Sequence, residues 1–189
     1  SNAIQVAVDH ASAQDIKINY HCDAVENLTE QYDVVLALEI IEHVQDPAQF
    51  VEDVCARVKK GGLVIFSTLN RNPKSFLLGV VAAEYILRWV PKGTHSWKKF
   101  IQPSELSRYL RNAGAKPCDI SGLIFNPIKR EFALSSSDLD VNYLKNMLIN
   151  KEEGNCSSSE FKNLLRSAYE FKCAISKKSF SIPGGHTNL

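Results

Sequence analysis

YDVVLALEIIEHVQDP, running from Tyr32 to Pro47, decides the fold class. YDVVLAL is a near-continuous apolar run, the mark of a parallel strand covered on both faces. Asp46-Pro47 is a helix start, with Asp as N-cap and Pro at the first helical position. Glu39, Glu42 and His43 therefore sit where a buried strand ends. Burying one unpaired carboxylate costs several kcal/mol or forces it to take up a proton. These three side chains need a reason to be there.

Working outward, AQFVEDVCARVKK reads as a helix with Phe50, Val51, Val54 and Val58 on one face. Lys59 and Lys60 complement its C-terminal dipole, and Gly61-Gly62 stop it. LVIFSTLN is a second buried strand. Upstream, IQVAVDHASAQ ends a helix, and IKINYHC is a short strand by alternation and β-branched content. Downstream, FLLGVVAAEYILRWV is helical and Pro91 ends it. PSELSRYLRNAGA is a helix with Ser104 as cap and Gly114 as stop. CDISGLIF and a segment near DVNYL are the last strands. Strands alternating with helices predict an α/β fold, a parallel-rich sheet with helices on both faces. Ligands of such sheets bind beyond the carboxyl ends of the strands. Leu38-Glu39 and Leu69-Asn70 are two such ends.

The bulk numbers fit one α/β domain. The chain has 189 residues and a net charge of +1, from 22 basic and 21 acidic side chains. That balance argues against a nucleic-acid binder, because nothing in it neutralises a phosphate backbone. Five cysteines, an odd count without a CxxC pair, suggest neither a disulfide framework nor a zinc site, and so a reduced compartment. No apolar run approaches the roughly 20 residues of a spanning helix. Residues 1–3 read as a tag remnant and 4–144 as the domain. Residues 145–189 read as a linker, KEEGNCSSSE, followed by the amphipathic helix FKNLLRSAYEFKCAI and a flexible end.

Two readings of Glu39, Glu42 and His43 stand side by side. In one they are the polar crest of an exposed turn. In the other, the spacing i, i+3, i+4 puts them on one face of a helical turn, as a divalent-cation site. Two carboxylates and an imidazole suit Mg²⁺, Mn²⁺ or Zn²⁺. Phe76 to Val90 is apolar nearly all round, which fits a core helix, a cover over an apolar substrate or an interfacial membrane helix. Trp89 and Trp97 suit a membrane interface. Arg71, Lys74, Arg88, Lys92, Lys98 and Lys99 around them suit anionic lipid. His95 is a candidate general base, or a loop-orienting hydrogen-bond partner.

YDVVLALEIIEHVQDP with KKGGLVIFSTLNRNPKSF resembles class I S-adenosylmethionine-dependent methyltransferases. More narrowly, STLNRNPKSF, AEYILRWVPKGTHSWKKFI, ISGLIFNPIKREF and DVNYL resemble the ubiquinone-biosynthesis O-methyltransferase family, over roughly Ile4 to Leu144. The resemblance implies a Rossmann-like sheet and methylation of a phenolic hydroxyl on a polyprenyl catechol or demethylubiquinol. It implies S-adenosylmethionine contacts at Asp23, Ala24 and Leu38, and a divalent cation, magnesium first, on Glu39, Glu42 and His43. A cation there would lower the pKa of a catechol oxygen for attack on the sulfonium methyl.

The family also carries a glycine-rich loop after its first strand and an acidic residue ending the second, and this chain shows neither. The sheet is thus expected to lack its first two strands, which in the class I order lie between IKINYHC and YDVVLAL. Four expectations follow: binding of S-adenosylmethionine weakly or not at all, no activity of this chain alone, an open edge on YDVVLAL, and a homodimer formed by pairing or exchange across it. The implied partners are a polyprenyl phenol or quinol, an anionic membrane surface and a ubiquinone-biosynthesis complex. The implied place is the cytoplasmic side of a bacterial inner membrane, or the matrix side of the mitochondrial one. The rival class is a non-catalytic lipid-binding or scaffolding fragment of such an enzyme.

Overall fold

The computed structural model describes residues 2–77, 96–126 and 131–149. Helix α1 spans Asn2–Ser12, strand β1 Tyr32–Leu38, helix α2 Pro47–Ala56 and strand β2 Val58–Leu69. A single turn, α3, at Pro73–Ser75 is followed after residue 95 by α4 (Pro103–Asn112), β3 (Ala115–Asn126), β4 (Glu131–Ser135) and β5 (Asn142–Ile149). The sheet runs in the order β1-β2-β5-β3-β4.

Local chemistry sets most of the boundaries. Asp46 caps α2 as the sequence requires, its carboxylate accepting from the amides of Ala48 and Gln49 at 3.0 and 3.1 Å. The helix stops sooner than expected, at Ala56. Val58 to Gly62 open β2 instead of closing α2. Gly61, at φ +79°, lies where β2 carries extra residues against β1: Tyr32 pairs with Val58, but Val34 pairs with Leu63. At the start of α4 the cap is Gln102, not Ser104, which lies inside the helix. Glu105 accepts from the Gln102 amide at 2.9 Å and closes the first turn. Gly114, at φ +76°, follows the helix end as expected.

Only β1 and β2 pair in parallel; β2–β5, β5–β3 and β3–β4 are antiparallel. The sheet is mixed rather than parallel-rich. The physical reason is connectivity. β1 reaches β2 through the crossover helix α2, whereas β3 and β4 form a hairpin, which needs no crossover. Strand β4 has no counterpart in the sequence reading. β5 runs on to Ile149, so residues 145–149 lie in the sheet, with Met147 fully buried.

The expected strand IKINYHC does not form. Ile16 to Tyr20 carry no ladder, and Ile16 and Ile18 are exposed. A strand exists only through its neighbours, and no described strand lies beside this one. β1 correspondingly has β2 on one side and no described strand on the other.

Helices α2 and α4 pack on one face of the sheet. There Val51, Val54, Leu106 and Leu110 meet Val64, Phe66, Tyr143 and Met147. Phe50 sits edge-on to Phe66, with centroids 6.4 Å apart. No helix among the described residues is long and apolar enough to cross a membrane. Of the helix expected over Phe76 to Val90, residues 78–90 lie outside the described part, as does His95; so do the linker and amphipathic helix expected beyond residue 149. Cys118 is disulfide-bonded, contrary to the reading of the cysteines as a reduced set. Cys22 and Cys55 are free.

Candidate functional site

The carboxyl ends of β1 and β2 lie side by side, and the chain leaves β1 abruptly. Glu39 adopts φ +53°. A non-glycine residue there stores on the order of 1–3 kcal/mol of strain, and such positions cluster at functional sites. The Glu39 amide donates to the Ser67 carbonyl at 3.0 Å. A turn follows, closed by the His43 amide donating to the Ile40 carbonyl at 2.9 Å. Ile41 is buried in the core, while Ile40 and His43 are exposed.

The two carboxylates take separate partners. The Ser67 hydroxyl donates to Glu39 Oε1 at 2.8 Å, and the Thr68 hydroxyl donates to Glu42 Oε2 at 2.8 Å. Ser67 and Thr68 are consecutive on β2, so their side chains point to opposite faces of the sheet. The register agrees. Asn142, two residues from Ser67's partner Leu144 on β5, donates to Glu39 Oε1 at 3.2 Å. Tyr143, the partner of Thr68, lies on the α4 side, its hydroxyl donating to the Ile101 carbonyl at 2.9 Å. Glu42 is thus sealed on the core side, and Glu39 lies on the other. Burial pushes the Tyr143 phenol far up, and the charges of Glu105, Glu42 and Glu39 push the same way.

The helical spacing assumed for Glu39, Glu42 and His43 does not exist, because the backbone reverses at Glu39. The donor types suit a divalent ion, and one oxygen of each carboxylate is engaged by a hydroxyl. Among the described residues no group of three His, Cys, Asp or Glu side chains is placed to hold a metal.

Leu38 is half-buried at the tip of β1, paired with Ser67. Asp23 holds a turn of its own: its carboxylate accepts from the Asn27 side chain at 2.7 Å and the Ala24 amide at 2.8 Å. Those bonds, Asn27 first, hold its pKa below the usual carboxylate range. Asp23 and Ala24 lead into the short 3-10 turn Val25–Asn27, which packs on α2.

Beyond β2 the chain is pinned down. Asn70 donates to the Leu139 carbonyl at 3.0 Å. Arg71 meets Glu105 at 2.6 Å, and Lys74 meets Asp140 at 2.9 Å and Asp138 at 3.5 Å. Two of the basic side chains expected to face lipid are therefore paired within the protein. Trp97 packs edge-on to Phe76 and donates its indole N–H to the Asn72 carbonyl at 3.0 Å. The sequence reading missed Ser67, Thr68 and Asn142. Two hydroxyls at the end of a fully buried strand were a signal, since buried polar groups need partners.

A family of methyltransferase domains matches residues 3–118. The ubiquinone biosynthesis O-methyltransferase of Dinoroseobacter shibae is 45% identical over 144 residues, which are 75% of this chain and 58% of that protein. The ubiquinone biosynthesis O-methyltransferase of Idiomarina loihiensis is 50% identical over 146 residues, 75% of this chain and 60% of that protein. The chain thus spans about three fifths of the length of these relatives. In fold it resembles an S-adenosylmethionine-dependent methyltransferase from Clostridium acetobutylicum, with TM-score 0.55 and 11% identity over 80% of this chain and 72% of that one.

Proposed function

The chain belongs to the methyltransferase domain family, and we propose that it takes part in S-adenosylmethionine-dependent O-methylation of a phenolic hydroxyl in ubiquinone biosynthesis. The acceptor class is a polyprenyl catechol or quinol, as the names of its relatives suggest. The observation that carries the reading is Glu39. It stands at the carboxyl end of a strand, where open α/β sheets bind ligands, in a left-handed conformation and gripped by side chains of two further strands.

S-adenosylmethionine, when bound, supplies an electrophilic methyl group. The chain's own part is on the acceptor side. Glu39 accepts the hydrogen bond of the phenolic hydroxyl and takes its proton as the oxygen gains the methyl, a role that general bases fill at hydrogen-bond reach. Leu38 and the Asp23-Ala24 turn are the cofactor-side candidates. His95 is the candidate base that the sequence offers outside the described residues. Glu39, Glu42 and His43 are the residues that would hold a divalent cation, magnesium first, which would lower the pKa of the acceptor hydroxyl.

Docking on an anionic membrane, and the cytoplasmic or matrix-side location that goes with it, belong to the same proposal. Among the described residues they rest on Trp97, Lys98 and Lys99. A second copy of the chain, or a ubiquinone-biosynthesis complex, is the partner proposed for the open edge of β1. The rival scaffolding role is not favoured.

Complementation tests the reading. A bacterium lacking its ubiquinone biosynthesis O-methyltransferase should regain ubiquinone when it expresses this chain fused behind the first-strand and glycine-loop segment of a relative. No recovery, with the protein present and folded, overturns the proposal.

A further inference from the structure

We propose that Lys145 and Arg111 form a binding site for a phosphate group carried by a small free molecule, on the face of the sheet that Glu39 does not share. Lys145 is 9% exposed, the one buried lysine or arginine among the described residues. It lies in the middle of β5, opposite Phe66 on β2 and Ile120 on β3. Tyr143 and Met147, two residues to either side, belong to the core beneath α2 and α4. The Lys145 side chain therefore enters the same layer. A buried charge is tolerated where something of opposite sign meets it, and Lys145 makes no ion pair among the described residues.

Asp119 is the carboxylate whose charge reaches Lys145. It pairs with Asn146, the next position along β5, so its side chain starts on the opposite face of the sheet. There it accepts from the Ile120 amide at 2.8 Å. On the Lys145 face the charged neighbour is Arg111, from the last turn of α4, and it repels. Burial works against the ammonium charge, Asp119 favours it and Arg111 opposes it, and the balance holds the pKa below the ordinary lysine range. Arg111 is exposed and likewise makes no ion pair among the described residues. Two cations that feel each other, with no carboxylate between them, are both stabilised by an anion that accepts from both. Bonds of this charge-assisted kind are the strong ones, and a guanidinium fork matches the oxygens of a phosphate. The ammonium ends a covered stem, which suits a small anion entering from solution rather than a lipid surface. The site does not depend on the methyltransferase reading.

Calorimetry with inorganic phosphate at constant ionic strength tests it, on the full chain as wild type, Lys145→Met and Arg111→Gln. The wild type should bind one phosphate per chain. Both variants should bind at least about tenfold more weakly, the scale of a lost hydrogen bond to a charged group. Phosphate should raise the melting temperature of the wild type and leave that of Lys145→Met unmoved. In phosphate-free buffer Lys145→Met should melt no lower than the wild type, since an apolar chain of similar length removes an unpaired buried charge. Arg111 is exposed, so Arg111→Gln carries the test alone should Lys145→Met not fold. A wild type that binds no phosphate overturns the proposal, and so does equal affinity in either variant. Vesicles of phosphatidylcholine and phosphatidic acid provide the contrast. Binding to them that depends on Lys145, without binding of inorganic phosphate, makes the ligand a lipid headgroup and overturns the proposal.

Discussion

Strands β1 and β2 carry the same signature, a continuous apolar run, yet they end in different environments. From Leu63 to Leu69 every residue of β2 is buried, on both faces, between β1 and β5. On β1 only Ala37 is buried; Val34 and Leu36 are 38% and 40% exposed. Val35 and Ala37 face the helices with Val64 and Phe66, whereas Val34 and Leu36 share the other face with Leu63 and Ile65. An apolar run therefore reports what a strand is suited to, while its neighbours decide what it becomes. The functional end of the pair borrows rigidity from β2: Ser67 and Thr68, both fully buried, hold the acidic turn that β1 runs into.

Substitutions can sharpen this contrast. The largest effect belongs to the centre of β2. Phe66→Ala should cost about 3–5 kcal/mol in chemical denaturation, and a loss below about 1 kcal/mol would deny β2 its role as the core strand. Gly62→Ala comes next. A Cβ there would lie 2.7 Å from the Asp33 carbonyl and 2.8 Å from a Val58 methyl. Overpacking at the junction of the two strands should cost about 1–3 kcal/mol.

Glu105 gives a smaller, pH-dependent effect. Burial works to raise its pKa but is outweighed by the Gln102 amide and the Arg71 guanidinium, so the carboxyl titrates below its ordinary value. The stability it contributes is full above the unfolded carboxylate pKa of about 4.3 and is lost as pH falls through the lower folded value. The pair is partly exposed, so roughly 0.5–1 kcal/mol is at stake. A melting series across the acid range should show this step in the wild type and not in Glu105→Gln.

The smallest effect belongs to β1. Leu36→Lys should change stability by no more than about 0.5 kcal/mol. Sedimentation of the same variant should show less self-association than the wild type, since a charge on an open edge blocks pairing with another chain. A large loss of stability instead would mean that β1 is as buried as β2.

Legibility followed the same division. The Asp46 cap, the strands YDVVLAL and LVIFSTLN and the α4 helix are local patterns, and the sequence displays them; that YDVVLAL is covered on both faces was expected and is not what the described residues form. IKINYHC failed because strand formation depends on a ladder neighbour, which no pattern within those residues reports. The acidic turn was located correctly but its geometry was not. A spacing of three and four implies one face only on a helix, and Glu39 leaves that geometry at φ +53°. Asn142 lies 103 residues from Glu39 and carried no local sign of the contact. Ser67 and Thr68 were visible as two polar residues ending an apolar strand, and their need for partners pointed toward the carboxylates.

The role of Glu39 is tested most directly by Glu39→Gln, which removes the base while keeping a side chain that Ser67 can still reach. Transfer of a deuterated methyl group from S-adenosylmethionine to a farnesylated catechol would be followed by mass spectrometry. The variant should fold with an unchanged melting temperature and lose at least about a hundredfold in rate, the lower end for a general base. A variant that folds and transfers label at the wild-type rate would contradict the account.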